Sequence, residues 1–470
     1  MTHFKKILLA CVLISITGLQ TEAQSTNNSL RAEIQKQVNM PSRLLVYPQS
    51  VLRYYTQTNF QPTWIKPQKE TGQTWQAMLM LDCVLTYGLS HDDYHPEQIT
   101  YPLLRDILET PAKIGLKEQA AFDILLTDAM ITMMNNLHYG KLNPDLSAEK
   151  IDKGANLNFL ADQYLISALK QNDLTLAIGN VQPQLKLYID LQRRMQLLKG
   201  KFQSDCYEVP EAEVRKIAIN MERLRWAAVN GDNYLLVNIP TYSLTYQLAD
   251  TAYRFKIAVG KPETPTPVLV SMVDYFTTAP DAKVMQDVFL KEILPNTLKD
   301  INYLKNNHYA IYDRDGLFIL PTPQVINDIA NHPEGYYARH SSGLDMTHGN
   351  LVFNFPNTYQ VYLHDMPKKE FFDQQERAFS AGCIWLGDAE KLGELLLRND
   401  GAAKEIAGFR KSFAKYQRNT FTLKTKVPIH IVYITCDVND WGLVTYNDIY
   451  NLDKGLEMAL YNVYQPLSLR

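Results

Sequence analysis

The chain has 470 residues, 46 % of them hydrophobic and 21 % charged, with a formal net charge of -3. That is material for about three cored domains, too apolar for a disordered chain, and without the basic excess that nucleic acid would select. Lys5 and Lys6 precede an apolar run from Ile7 to Ile16, and Thr21-Glu22-Ala23 sets a small residue before Gln24. Residues 1–23 are therefore expected to be a cleaved Sec-type signal peptide. Cleavage would remove two lysines and one glutamate, taking the charge from -3 to -4. Leu8-Leu9-Ala10-Cys11 is a poor lipoprotein box, since only four apolar residues precede Cys11 and the run continues past it. No later run approaches the ~20 apolar residues of a membrane span, so a soluble mature protein is expected.

Residues 24–200 have helical period, and Ala120 to Leu137 repeats apolar residues at three- and four-residue steps. Asp123, Thr127 and Asp128 among those positions are read as capping and interhelical hydrogen-bonding groups, and His91, His95 and His138 as structural or surface residues. Residues 201–231 form a connection with a helix from Glu211 to Ala228. After Asn230-Gly231-Asp232 the period becomes two: Tyr234–Ile239, Tyr242–Leu248, Tyr253–Val259 and Leu351–Phe355 read as strands. Pro356-Asn357-Thr358 predicts a hairpin into Tyr359–His364. Between about 289 and 345 the strand pattern lapses into helical and loop sequence, an insertion within a mostly β domain over 232–440. Residues 441–470 form a C-terminal arm, and the fold class is α+β. Cys83, Cys206, Cys383 and Cys436 remain after cleavage, too widely spaced for a zinc ribbon. No metal or cofactor is called for. If Cys383 stays reduced, at most one disulfide can form, and the other three are read as small buried hydrophobes.

The chemistry concentrates in Tyr359 to Leu386, YQVYLHDMPKKEFFDQQERAFSAGCIWL. His364 closes a strand pattern, and Cys383 follows Ser380, Ala381 and Gly382, a run that turns tightly and presents amide N–H groups beside the sulfur. An imidazole near a thiol can take its proton, and a thiol lowered from about 8.5 toward 6.5 is mostly thiolate at neutral pH. That pattern suits an acyl-transfer nucleophile, Cys383, with His364 as general base and an oxyanion site at the turn of Ser380, Ala381 and Gly382. The imidazole needs an orienting acceptor, a backbone carbonyl or Asp365. Tyr362, Asp365, Arg377 and Trp385 are candidate pocket residues.

His364, Arg377, Ser380, Gly382 and Cys383 in this order resemble the signature of the YkuD-type L,D-transpeptidases, and Tyr362-Leu363-His364-Asp365 resembles their large, scaffold-bearing branch. Phe60-Gln61-Pro62-Thr63-Trp64, Tyr87-Gly88-Leu89, Gly140-Lys141-Leu142-Asn143-Pro144, Asn220-Met221-Glu222-Arg223 and Asp448-Ile449-Tyr450 are similar to landmarks of its scaffold, linker helix and C-terminal arm. The resemblance implies a periplasmic enzyme acting on peptidoglycan. A stem tetrapeptide would acylate Cys383, D-alanine would leave, and an amine acceptor on a second stem would resolve the thioester as a 3→3 cross-link. It also implies a capping lobe at the insertion, a sandwich-like catalytic fold, and envelope protein partners for the scaffold. Departures from the family pattern are Trp385, where relatives carry Arg or Asn, Ala381, where many have His, and Arg339-His340-Ser341-Ser342-Gly343, where relatives prefer Gln and Pro-Gly. Two rivals stay open here: a papain-like cell-wall endopeptidase pairing Cys383 with His430, and a degenerate, non-catalytic peptidoglycan-binding scaffold. His340 and His348 near the insertion are read as turn or surface residues.

Overall fold

A computed structural model describes residues 28–66, 71–171, 173–199, 211–280, 282–307, 309–314, 318–340, 350–366, 369–415 and 417–461. The signal segment, Cys206, Ser341, Ser342, Gly343 and His348 lie outside the described residues. The chain divides into two compact units, one of residues 1–230, 435–445 and 451–470, the other of residues 231–434 and 446–450. No helix among the described residues is long and apolar enough to cross a membrane.

The first unit is helical. Its centre is α2 (Leu116–Tyr139), buried nearly all round, against which α1 (Pro48–Gln57) packs. A helix so enclosed must satisfy its own polar groups, and the acidic residues on it do so by tying loops down. Asp123 accepts from the amides of Thr63, Trp64 and Ile65 and from the Tyr55 hydroxyl, which ties the Thr63-Trp64 segment to α2. Asp128 accepts from the Val46 and Tyr47 amides and lies 2.7 Å from His95 Nε2. His138 Nδ1 lies 3.0 Å from the Val181 carbonyl, and its ring stacks on Phe159. The structural reading of these groups holds.

The helix α3 (Ala212–Ala227) belongs to this unit. Its Glu222 accepts from the Leu142 amide and Trp226 Nε1, and a Cβ at Gly140 would stand 2.6 Å from the Trp226 ring. Asn220 bonds Thr435, and Arg223 reaches Asp453, so α3 binds the chain that returns from the second unit. The strand pair Cys436–Asn439 and Gly442–Thr445 lies in the first unit for this reason.

The second unit is built on a nine-stranded sheet. Its strands are β1 (Asn233–Asn238), β2 (Ser243–Leu248), β3 (Thr251–Gly260), β4 (Leu269–Thr278), β5 (Leu351–Asn354), β6 (Leu363–Asp365), β7 (Ala378–Ser380), β8 (Ile384–Leu386) and β9 (Asn419–Val432). They lie in the order β7-β3-β8-β6-β5-β4-β9-β1-β2, and β2 also pairs with β3, so every strand but β7 sits on a closed ring rather than in two stacked sheets. Its core includes Leu235, Val237, Phe276, Phe353, Leu363, Ile384, Ile429 and Ile431.

The expected hairpin exists, with β5 and β6 antiparallel, but β6 starts at Leu363 rather than Tyr359. The Asn357 side chain takes the bonds a strand would make, accepting from the Tyr359 and Val361 amides and donating to the Phe355 and Val361 carbonyls. The insertion between β4 and β5 also differs from its helical reading. It has helices around Phe289, Ile293 and Ile326, and in addition a small sheet of Ala282–Lys283, Tyr336–His340, Tyr309–Asp313 and Phe318–Ile319 over its own core.

Candidate active site

His364 and Cys383 are brought together by a parallel strand pair. In β6, Leu363 is fully buried in the ring core, so alternation turns His364 to the opposite face. In β8, Ile384 is likewise in the core, and Cys383 and Trp385 flank it on that same opposite face. The register sets His364 against Trp385, and the Ile384 amide donates to the Tyr362 carbonyl at 2.8 Å, which places Cys383 beside Tyr362. His364 and Cys383 are thus diagonal neighbours on one face. Strand spacing and rise put their Cα atoms ~8 Å apart, a gap an imidazole and a thiol can span between them.

The imidazole is oriented by main chain. His364 Nδ1 lies 2.9 Å from the Asp365 carbonyl. A carbonyl only accepts, so Nδ1 carries a proton, and in the neutral form of the ring the lone pair is at Nε2. Of the two acceptors the sequence allowed, the carbonyl of Asp365 serves and its carboxyl does not. That carboxyl turns to the core side, accepts from the Leu351 amide at 2.6 Å and is pushed up to about 7 by burial, against the amides of Leu351 and Asn350. Asp365 is therefore corrected from pocket residue to structural residue. The folded state holds this proton more tightly than the unfolded chain, so the stability it supplies is complete below pH ~4 and is lost as pH rises through ~7. Asp365→Asn keeps an oxygen for the Leu351 amide without the charge. Denaturant midpoints will show the variant more stable than its parent at pH 8, by on the order of a few kcal/mol, with the gap closing toward pH 4.

The nucleophile turn is clamped from two sides. Ser380 Oγ donates to the Cys383 carbonyl at 2.5 Å and accepts from the Gly382 amide at 3.1 Å. Gly382 has φ +107°, a conformation that excludes a side chain without strain. Its carbonyl accepts from Thr266 Oγ1 at 2.8 Å, and Thr266 Oγ1 accepts in turn from the Gly260 amide. The Tyr450 hydroxyl closes this second clamp, accepting from the Thr266 amide at 3.1 Å and donating to the Gly260 carbonyl at 2.5 Å. Tyr433, bonded to Asp448, holds the Tyr450 amide. One expectation changes as a result. The Gly382 amide is already engaged by Ser380 and so is not among the amides that the turn could offer to an oxyanion. Thr266, Gly260 and Tyr450 were missed by sequence reasoning, because they meet only through the register of β3 and the return of residues 446–450. Tyr450→Phe removes one bond to each of Gly260 and Thr266. Acylation of Cys383 is expected to slow ~10-fold with substrate affinity little changed, and stability to fall by about 1–2 kcal/mol, measured by stopped-flow acylation and thermal melting.

A second expectation is corrected by the electrostatics. The Cys383 thiol is not depressed; burial pushes it above its ordinary value, opposed by the Tyr362 backbone amide. A thiol raised in this way holds its proton more tightly, which favours removal by a base as the sulfur attacks. The Tyr362 hydroxyl is pushed up by burial and by the charge Cys383 would carry, and the strand register sets this half-exposed residue beside Cys383. Trp385 packs against Phe371 on the face that His364 shares. Tyr362 and Trp385 therefore share the face that carries His364 and Cys383. Arg377 does not. Its guanidinium donates to the carbonyls of Ile257, Gln374 and Tyr242 and lies over the Tyr242 ring, anchoring the chain before β7.

His430 stands on β9, four strands from β8 in either direction round the ring. Its neighbours Ile429 and Ile431 are in the core, so it faces outward on the far side, against Tyr234. This geometry removes the Cys383–His430 pairing and the endopeptidase reading that needed it.

Family models agree with this division. Residues 49–195 match a Scaffold domain and residues 232–429 match an L,D-transpeptidase catalytic domain of the YkuD type. The chain is also similar to a Haemophilus influenzae protein named "Putative L,D-transpeptidase", with 26 % identity over 365 residues, 76 % of this chain and 71 % of the relative. The helical unit thus carries a Scaffold domain, and the closed sheet that holds His364 and Cys383 on one face is a YkuD-type L,D-transpeptidase catalytic domain.

Proposed function

We propose that this protein is a periplasmic peptidoglycan L,D-transpeptidase that forms 3→3 cross-links through a thioester on Cys383. The observation that carries the reading is the shared face of β6 and β8, with His364 held by the Asp365 carbonyl so that Nε2 is the basic nitrogen. Nε2 takes the thiol proton as sulfur attacks the carbonyl of the third residue of a tetrapeptide stem. The oxyanion is met by turn amides, a donor of this kind contributing about 3–4 kcal/mol. The carbon–nitrogen bond then breaks, the imidazolium gives its proton to the departing D-alanine amine, and the acyl group remains on sulfur. An amine of a second stem attacks the thioester, loses a proton to His364 and returns Cys383 as thiol. No metal or cofactor enters these steps. The amino terminus supports secretion, and recovery of a chain beginning at Gln24 from the periplasmic fraction tests it.

Incubating the mature chain with a carbapenem and weighing it intact tests the chemistry. The expected result is a gain of one carbapenem mass, absent in Cys383→Ala, and with tetrapeptide stems one D-alanine released per cross-link. A folded protein that gains no mass from either donor overturns the enzymatic reading in favour of a non-catalytic wall binder, the rival that Trp385 motivates.

A further inference from the structure

The helical unit carries an open cavity of about 600 Å³ that the catalytic reading does not use. Its volume suits a small molecule or a long side chain. Along one face of α2, Asp128, Thr132 and Asn136 recur at four-residue steps. Asp128 is taken by the Val46 and Tyr47 amides and His95, and Asn136 donates to the Tyr94 hydroxyl. Thr132 lies between them, lines the cavity and is 3 % exposed, yet its hydroxyl has no hydrogen-bond partner. A helical threonine commonly bonds the carbonyl four residues back, and a buried hydroxyl left unbonded is unfavourable. The mouth above it is acidic. Asp92, Asp93 and Glu97 line it, and Lys141 is engaged with Asp93 at 2.7 Å, so two negative charges exceed the local cations. Leu44 and Val46, 58 % and 40 % exposed, line the same cavity. An apolar wall, two surplus carboxylates and a buried hydroxyl acceptor together match one chemistry, a straight aliphatic chain ending in an ammonium group.

We propose that this cavity binds a peptide side chain bearing an aliphatic primary ammonium, with Thr132 as a buried acceptor and Asp92 and Glu97 at the mouth. The inference stands on the helical unit alone and does not depend on transpeptidase activity. The test titrates the full mature chain with Nα-acetyl-lysine methylamide, its Nε-acetyl derivative and Nα-acetyl-norleucine methylamide, followed by NMR or calorimetry. Saturable binding of the lysine probe is expected, at least ~10-fold tighter than either control. Thr132→Val and the double substitution D92N with E97Q should each weaken it ~5-fold or more, with the melting temperature and carbapenem acylation of Cys383 unchanged. If Thr132→Val fails to fold, the double variant at the mouth carries the test. No saturable binding of the lysine probe, equal binding of the norleucine probe, or indifference to the double substitution would each overturn the assignment.

Discussion

His364→Ala is expected to slow thioester formation at Cys383 about 10³-fold at pH 7, within the range general-base catalysis commonly supplies, whereas His430→Asn will leave the rate within about twofold. The reason is the state of the sulfur. Burial raises the Cys383 thiol, which lowers the thiolate fraction at neutral pH and makes the rate lean on the base that accepts the proton during attack. His364 is the imidazole on the shared face of β6 and β8, with Nδ1 fixed by the Asp365 carbonyl, and His430 is four strands away. Stopped-flow carbapenem acylation of the variants measures both numbers. Above the raised thiol value, hydroxide generates the thiolate directly, so iodoacetamide labelling of His364→Ala should converge on the parent at high pH. Loss of acylation in His430→Asn with a normal rate in His364→Ala would reverse the assignment.

Gly260→Ala should abolish measurable acylation and destabilise the fold beyond the ~1–3 kcal/mol that overpacking usually costs. A Cβ at Gly260 would stand 2.2 Å from the Thr264 carbonyl oxygen, 2.7 Å from the Thr266 amide and 3.0 Å from Gly382 Cα. All three are backbone atoms, so no side chain can swing aside to relieve the contact. The displaced segment carries Thr266, whose hydroxyl holds the Gly382 carbonyl, so strain at Gly260 passes to the nucleophile turn. Thermal melting and intact-mass acylation would check it. An alanine variant with parental melting temperature and acylation would show that the turn does not need this close approach. Gly408→Ala is the control, since no atom lies within 4 Å of its added Cβ and its backbone is helical.

The sequence alone determined the helical half and the change to period two after Asp232, and it marked His364 and Cys383 as the candidate residues, while the β6–β8 register decided that His364 and not His430 shares a face with Cys383. Each of the readings from sequence rests on local information: apolar spacing, turn residues, and a Ser-Ala-Gly-Cys run whose glycine needs φ +107°. Landmarks such as Thr63-Trp64 and Gly140 were visible as patterns, but their cause, the Asp123 carboxylate and the Trp226 ring, lies at the other end of long loops. Only the tertiary structure decided which groups work on the site. Arg377 and Asp365 were plausible pocket residues until packing turned one onto three carbonyls and the other to the core side. Gly260, Thr266 and Tyr450, distant from Cys383 along the chain, became its supports because sheet register and chain return fix contacts that no local pattern encodes. The proton affinity of Cys383 belongs to the same class, since burial is a property of everything packed around a sulfur and not of the residues beside it in sequence.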